Sequence, residues 1–230
     1  MSATPAPGLR LLVFDWDGTL MDSIATIVAC TQRAVADCGQ QAPSEADVRH
    51  AVGMGLREVM ERFFPDAEDT LCERMVAAYR RHWLASFKDE PRLFPGSVET
   101  LRALSASGYL LAIATAKGRT GLMRELAKSE LLDLVVATRT VDECPPKPHP
   151  AMLLDLMDEL GTKPEATLMI GDTRWDLEMA RNAGVRSVAV LSGGHGRAEL
   201  LAGEPLVCLD GVGALPAWLQ GATAADATPV

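Results

Sequence analysis

The sequence lacks three features that would each define a class of protein: an excess of positive charge, a long apolar run and a CxxC pair of cysteines. The net charge of −9 argues against general nucleic-acid binding, which depends on clustered cations at the phosphates. No apolar run approaches the ~18 residues that span a bilayer, and the N-terminal "MSATPAPGLR" contains no apolar core of signal-peptide length. We therefore expect a cytoplasmic protein with neither a nucleic-acid nor a membrane partner.

Cysteines are few and widely spaced. The five of them lie at positions 30, 38, 72, 144 and 208. An odd count without CxxC spacing argues against a disulfide framework and against a structural zinc site. We interpret them as reduced thiols, in agreement with a cytoplasmic location.

Apolar periodicity divides the 230-residue chain into two kinds of segment. "LLVF" (11–14) has the character of a buried strand, and the chain then shows only helical patterns from Asp22 to about Lys88. Beyond this segment, helices alternate with the short strands "YLLAIAT", "DLVVAT", "ATLMIGD" and "SVAVLSGG". Such alternation predicts an α/β fold with a parallel sheet covered by helices on both faces, into which the all-helical segment is inserted.

Polar side chains follow the ends of these predicted strands. In an open α/β sheet, ligands bind outside the carboxyl ends of the strands. We therefore expect one edge of the sheet to collect four carboxylates, a hydroxyl and one or two lysines: Asp15, Asp17, Asp172, Asp176, Thr115, Lys147 and Lys117. The alternatives are a capping turn at Asp15 and Asp17, strand propensity at Thr115, an exposed loop lysine at Lys147 and a helix cap at Asp176.

Carboxylates gathered at one edge repel one another, and without a cation some would remain protonated. A hard divalent cation resolves this conflict. Mg²⁺ takes oxygen ligands and leaves room for a substrate phosphate. The pattern therefore predicts a Mg²⁺ site, and a phosphorylated ligand remains compatible with the acidic chain because the metal reverses the local charge.

These residues also carry a family resemblance. "DWDGT", Thr115, Lys147 and "GDTRWD" resemble the four motifs of the haloacid dehalogenase (HAD) superfamily of aspartyl phosphatases, in the same order along the chain. "PPKPHPAMLLDLMDELG" and "MIGDTRWDLEMARNAGV" resemble its phosphoglycolate-phosphatase-like branch. The resemblance covers nearly the whole chain and implies a Rossmann-like core at 1–21 and 90–220 with a helical cap domain at 22–89. The tail "GATAADATPV" (221–230) consists mostly of small residues, and we expect it to be flexible.

The resemblance also implies catalytic roles. Asp15 would be the nucleophile, and Asp17 would protonate the leaving group and later deprotonate the attacking water. Thr115 and the backbone N–H of Ala116 would bind phosphoryl oxygens, and Lys147 would offset negative charge. The metal ligands would be Asp15, the backbone carbonyl of Asp17, Asp172, and Asp176 directly or through a water.

Other polar residues have weaker assignments. Arg57 follows the glycines of "GMG" (53–55), which we interpret as a cap loop over the site with Arg57 meeting a second substrate anion. The alternative is a helix–helix turn with a surface arginine. We expect Lys117 to be a surface or cap-facing residue and Trp16 to pack rather than react. We interpret His149 as a loop residue and assign no role to His195.

Several related activities remain to be separated. Dehalogenases of this superfamily lack the acid at the Asp17 position, and no cap lysine precedes Lys88 to form the Schiff base of the phosphonatase branch. We therefore expect a phosphatase acting on a small phosphorylated metabolite. Phosphoglycolate is the default, and small sugar phosphates, nucleotides and pyrophosphate are compatible. A sugar-phosphate mutase and a non-catalytic phospho-ligand binder are the alternatives, and a monomer or a homodimer fits equally.

Overall fold

A six-stranded parallel sheet forms the centre of the protein. The computed structural model describes residues 8–86 and 92–226. Within them the strands run in the order β3-β2-β1-β4-β5-β6, and every neighbouring pair is parallel. The strands are β1 (Leu11–Phe14), β2 (Leu110–Thr115), β3 (Ala137–Thr140), β4 (Thr167–Gly171), β5 (Arg186–Val190) and β6 (Cys208–Leu209). The predicted Rossmann-like parallel sheet is confirmed.

The central strand β1 is apolar on both faces because helices cover both sides of the sheet. Leu12 and Phe14 pack into one hydrophobic cluster, whereas Leu11 and Val13 pack into another on the opposite face. All four side chains are fully buried. Strands buried on both faces read as continuous apolar runs, which explains why "LLVF" shows no alternation.

The core helices follow the strands in the predicted alternation. They are α5 (Ser97–Ala106), α6 (Arg119–Lys128), α7 (Ala151–Glu159), α8 (Arg174–Asn182), α9 (Arg197–Leu201) and α10 (Leu215–Asp226). Helices α5, α6 and α10 pack on the cluster that contains Phe14, and α7 and α8 pack on the cluster that contains Val13. The tail predicted to be loose from residue 221 is instead helical as far as Asp226, and residues 227–230 lie outside the described part.

An all-helical insertion separates β1 from α5. It contains α1 (Ile24–Asp37), α2 (Glu45–Ala51), α3 (Leu56–Phe63) and α4 (Asp69–Ser86). The chain enters and leaves it side by side, since the Asp22 N–H donates to the Arg92 carbonyl at 2.7 Å. Ser44 caps α2 by accepting from the Asp47 N–H at 3.1 Å, as its Ser-x-x-Asp pattern predicts. The predicted helical cap is therefore present, although its predicted end at residue 89 lies outside the described residues.

One strand is displaced from its predicted position. The run "DLVVAT" (133–138) was expected to be a strand, but β3 covers Ala137–Thr140. Leu134 instead lies at the end of a turn and Val135 directly follows it, and both pack against the core, so their apolar character reflects burial rather than pairing. The sequence patterns also did not identify β6, α9 or α10. Over the described residues, no helix has both the length and the apolar character to cross a bilayer.

Candidate active site

Three adjacent strands bring the predicted site residues to one edge of the sheet. Strand β1 lies between β2 and β4, and Asp15, Thr115 and Asp172 lie at or just beyond the carboxyl ends of these strands. The Asp15 N–H extends the ladder by donating to the Ile170 carbonyl at 2.9 Å. This is where the strand order reverses, the place at which open α/β sheets bind ligands.

A buried cluster of three carboxylates and one lysine occupies this edge. Oxygens of Asp15, Asp172 and Asp176 lie within 4.8 Å of one another. The Lys147 ammonium lies 2.8 Å from Asp15 Oδ1 and 2.6 Å from Asp176 Oδ1. All four side chains are almost completely buried. One ammonium against three carboxylates leaves an excess of two negative charges when all are ionised.

The pKa shifts within the cluster reflect burial and this excess of negative charge. Burial raises the pKa of Asp15 to about 7, against the lowering effect of Lys147. Burial, followed by the nearby charges of Asp15 and Asp176, raises the pKa of Asp172 well above its usual range. Burial lowers the pKa of Lys147, but the two carboxylates raise it by more, so the ammonium stays charged. Three converging oxygen donors with two uncompensated charges suit a hard divalent cation.

Asp172 is fixed by backbone that approaches it closely. Its Oδ1 accepts from Thr19 Oγ1 and its Oδ2 accepts from the Gly194 N–H, each at 2.8 Å. Gly18 has a φ of +87°, and a Cβ there would lie 2.3 Å from Asp172 Oδ2. A Cβ at Gly193 would lie only 1.8 Å from the same oxygen. Both positions therefore require glycine, and the "GG" of "SGGHG" was the sequence signal for the second approach.

Asp176 contacts both Lys147 in the carboxylate cluster and Thr173 at the start of its own helix. It is the third residue of α8, and its Oδ2 accepts from the Thr173 N–H at 3.1 Å and from Thr173 Oγ1 at 2.7 Å. Its Oδ1 faces Lys147. The helix-cap interpretation and the functional one are therefore compatible, because the capping interaction orients the carboxylate toward the lysine.

The neighbouring strand end carries the residues expected to bind phosphate. Thr115 is buried, and its hydroxyl accepts from the Lys117 N–H at 3.1 Å, which folds the chain back at Ala116. The Asp17 carboxylate faces Lys117 Nζ at 3.1 Å. It therefore lies outside the three-carboxylate cluster, and the expectation for its backbone carbonyl remains a prediction.

Lys117 is not a surface residue. Its side chain is 11% exposed, and its ammonium lies 4.0 Å from the ring centroid of Trp83 on the cap helix α4. The cap-facing alternative is therefore the correct one. Trp16 is completely buried, as expected for a packing residue.

The cap loop "GMG" contacts the core beside the carboxylate cluster. A Cβ at Gly53 would lie 2.8 Å from Thr173 Oγ1, and one at Gly55 would lie 3.8 Å from the Pro146 Cβ. Pro146 directly precedes Lys147. The loop thus lies over this part of the site, as the sequence predicted.

Arg57 does not accompany that loop into the site. Its guanidinium is about half exposed and contacts Glu61 and Asp69, each at 2.7 Å, on the cap surface. These carboxylates, with the more distant Glu73, raise the pKa of Arg57 and satisfy its charge. The arrangement matches the alternative of a surface arginine and does not bring Arg57 to the predicted phosphate-binding residues.

His195 has a structural position that sequence reasoning missed. Its Nδ1 accepts from the Arg174 N–H at 3.0 Å, and its Nε2 lies 3.1 Å from the His50 carbonyl. The two imidazole rings stack with centroids 5.3 Å apart. Burial lowers the pKa of His195. The residue therefore joins the cap helix α2 to the first turn of α8. His149 remains a loop residue, whose Nδ1 accepts from the Ala151 N–H at 3.2 Å.

Comparison with known proteins identifies the family. Residues 12–190 match the haloacid dehalogenase-like hydrolase family. The "Probable phosphatase IndB" of Dickeya dadantii is 36% identical over 87% of this chain and 89% of its own length. The phosphoglycolate phosphatase of Agrobacterium fabrum is 33% identical over 92% of this chain and 93% of its own.

A solved structure shares the fold. The crystal structure of a "predicted phosphoglycolate phosphatase" from Haemophilus somnus superposes with a TM-score of 0.83 at 24% identity, covering 92% of this chain and 98% of the other. The chain belongs to the haloacid dehalogenase-like hydrolase family. It is a phosphatase-type enzyme of the phosphoglycolate-phosphatase-like branch, and the resemblance drawn from its motifs is confirmed.

Proposed function

We propose that the protein is a Mg²⁺-dependent phosphomonoester hydrolase that works through an aspartyl-phosphate on Asp15. The observation that carries the proposal is the buried cluster in which the Asp15 carboxylate faces Lys147 beside two further carboxylates. A buried carboxylate held at a strand end, with a cation beside it, has the fixed position that a nucleophile requires.

In the first step, an oxygen of Asp15 attacks the phosphorus and the ester P–O bond breaks. The departing alkoxide takes a proton from the Asp17 carboxyl group and leaves as an alcohol. Thr115 and the Ala116 N–H hold phosphoryl oxygens, and Lys147 stabilises charge on both Asp15 and the transferring group. The products of this step are the aspartyl-phosphate and the free alcohol.

In the second step, a water attacks the phosphorus of the aspartyl-phosphate. Asp17, now a carboxylate, removes a proton from that water as the bond between phosphorus and Asp15 breaks. Inorganic phosphate leaves and Asp15 is a carboxylate again. Asp17 therefore returns to its protonated form, and no further reactant is needed.

Asp15, Asp172 and Asp176, with the Asp17 carbonyl, are the residues that would hold Mg²⁺. The bound ion would neutralise negative charge as one anion approaches another. Support comes from the donor set, since three buried carboxylates share only one ammonium.

We propose a small phosphorylated metabolite as the substrate, phosphoglycolate-like because the Agrobacterium fabrum relative bears that name. We further propose a cytoplasmic enzyme, monomeric or homodimeric, with neither nucleic acid nor membrane as a partner. The acidic chain supports the absence of a nucleic-acid partner, and the five free cysteines support the cytoplasmic location.

A panel of metabolite phosphates tests the proposal. We expect phosphate release from one or more small phosphomonoesters with Mg²⁺ and none after chelation with EDTA. Phosphorus NMR of the products separates hydrolysis from the mutase alternative, in which phosphate migrates and none is released. Binding of panel members without turnover, in folded protein supplied with Mg²⁺, would instead support the non-catalytic binder.

Asp172→Asn should stabilise the metal-free protein and remove its response to Mg²⁺. The amide carries no charge into a site where burial and like charges disfavour a carboxylate. Its oxygen can still accept from the Gly194 N–H, and Thr19 Oγ1 can accept from its NH₂ group. Relief of about 1 kcal/mol raises Tm by about 3 °C for a chain of this size.

Thermal unfolding with EDTA and with Mg²⁺ provides the measurement. Wild-type protein at saturating Mg²⁺ should gain about 2–3 kcal/mol of stability, and the variant should gain almost none. Asp133→Asn makes the same chemical change at an exposed position and serves as the control. An undiminished Mg²⁺ shift in Asp172→Asn would contradict the metal assignment.

A further inference from the structure

A second buried charged group lies between the cap and the site, and the mechanism above does not use it. Glu125 on α6 is 5% exposed, and both of its carboxylate oxygens are engaged. Oε2 accepts from Trp16 Nε1 at 2.6 Å. Oε1 accepts from Trp83 Nε1 at 3.0 Å and lies 3.3 Å from Lys117 Nζ. We call Glu125, Lys117, Trp16 and Trp83 the Glu125 network.

The network ends on the carboxylate to which the acid–base role is assigned. Lys117 Nζ lies 3.1 Å and 3.3 Å from the two oxygens of Asp17. Burial lowers the pKa of Lys117, but Asp17 and Glu125 raise it by more, so the bridging group is a charged ammonium. With two carboxylates bound, Lys117 is not a free cation for a substrate anion, and we interpret it as a residue that holds Asp17.

The network also fixes an otherwise flexible side chain. A lysine has a four-carbon stem with many rotamers, so one ion pair alone leaves its ammonium poorly positioned. Here the Trp83 ring lies against the ammonium at 4.0 Å, and Glu125 holds it from another side. Trp16, which separates Asp15 from Asp17 in the chain, is held by the same glutamate.

The contacts join two parts of the protein. Trp83 belongs to the cap helix α4, whereas Glu125, Lys117 and Asp17 belong to the core. Trp83 stacks on Tyr79 of the same helix with ring centroids 5.9 Å apart, which fixes the orientation of its indole within the cap. The indole N–H therefore reaches Glu125 only when α4 is docked on the core as it is here.

We propose that Glu125 is a positioning residue that, through Lys117, holds the Asp17 side chain in place for proton transfer, and that the cap completes this arrangement through Trp83. The proposal rests on the acid–base role of Asp17 under the proposed function. It assigns Lys117 and Glu125 to proton transfer to the leaving group rather than to substrate binding. Docking of the cap and readiness of the acid are then coupled.

The dependence on the leaving group distinguishes this role from a merely structural one. An alkyl phosphate needs a proton at its departing oxygen, whereas p-nitrophenyl phosphate has a weakly basic leaving group that departs without one. Because kcat/KM covers the steps up to departure of the first product, hydrolysis of the aspartyl-phosphate does not enter. The measured quantity is the ratio of kcat/KM for phosphoglycolate, or the best alkyl phosphate of the panel, to kcat/KM for p-nitrophenyl phosphate.

We expect Glu125→Gln and Lys117→Met each to lower this ratio by about ten- to a hundredfold, since a misplacement of about 1 Å in a catalytic group costs a factor on that order. Trp83→Phe keeps a ring but loses the N–H donor, and it should lower the ratio by a smaller factor in the same direction. Loss of folded protein lowers both kcat/KM values equally, so the ratio is independent of the folded fraction. If Glu125→Gln and Lys117→Met do not yield folded protein, Trp83→Phe alone provides the measurement.

Two further variants separate the possible failures. Glu130→Gln, at an exposed glutamate paired with Arg102, makes the same change outside the network and should leave the ratio unchanged. Asp17→Asn should lower the ratio by a factor of about 10² to 10⁴. If Asp17→Asn lowers it but the network variants do not, the positioning role is refuted and the proposed function stands. If Asp17→Asn leaves it unchanged, the assigned acid is wrong and the positioning role fails with it.

Discussion

Asp15→Asn should abolish phosphate release, by a factor of about 10⁴ or more, because the amide oxygen is a poor nucleophile and no covalent intermediate can form. The variant should still fold. Burial already raises the pKa of Asp15 to about 7, so the site disfavours the charge that the substitution removes. The amide oxygen can also still accept from Lys147, which retains Asp176 as its second partner. Turnover of the panel substrates, measured with Mg²⁺, gives the result.

A second readout identifies the intermediate itself. Acid-quenched reactions with labelled substrate should leave phosphate on wild-type protein and none on Asp15→Asn. Asp22→Asn makes the same change at an exposed position seven residues later in the chain and should retain full activity. Turnover within tenfold of wild type in Asp15→Asn, with the substitution verified by mass after the assay, would remove Asp15 from the mechanism.

The strands, and the polar residues that follow their ends, could be predicted from the sequence because both depend on local pattern. Strand β1 has the predicted limits, Leu11–Phe14, since a strand buried on both faces is a continuous apolar run between turn residues. Its neighbours follow from the alternation of strands and helices. Topology then brings Asp15, Thr115 and Asp172 to one edge without any further information. Local pattern failed at β3, where apolar residues of a turn pack into the same core as the strands.

The contacts that orient the side chains of the site were harder to predict from the sequence. Glu125 accepts from Trp83, which is 42 residues away in the chain, and from Trp16, which is 109 residues away. No spacing rule connects such positions. One signal did exist: Glu125 lies between the buried Leu122 and Leu126 on one stripe of α6, and a carboxylate on an apolar stripe requires buried partners.

Arg57 shows the opposite limitation. A cation beside a glycine-rich cap loop suggests an anion site, and the loop does lie over the core. The direction of the side chain, however, is decided by carboxylates on the same cap surface, Glu61 and Asp69, which pair with it. Glu61 lies one helical turn after Arg57 in α3, a spacing that the sequence shows. Asp69 belongs to α4, and its contact with Arg57 depends on the packing of α3 on α4, which the loop motif does not give.

Lys147→Met should cause a large loss of stability in the metal-free protein. The ammonium is completely buried between Asp15 and Asp176, and its removal leaves three buried carboxylates without a cation. Breaking a buried pair from one side costs on the order of 3–5 kcal/mol. For a chain of this size, that lowers Tm by about 10 °C. Thermal or urea unfolding with EDTA provides the measurement, and the exposed Lys163→Met is the matched control.

Lys147→Met also tests whether Lys147 and Mg²⁺ compensate the same negative charge on the three carboxylates. All three carboxylates remain in Lys147→Met, so Mg²⁺ should stabilise it by more than it stabilises wild-type protein. Adding Asp15→Asn removes one of the uncompensated charges, and the double variant should therefore be more stable than Lys147→Met alone when no metal is present. If the changes in the free energy of unfolding of Lys147→Met and Asp15→Asn simply add in the double variant, Lys147 and Asp15 are not coupled. The electrostatic basis assigned to the nucleophile would then be wrong.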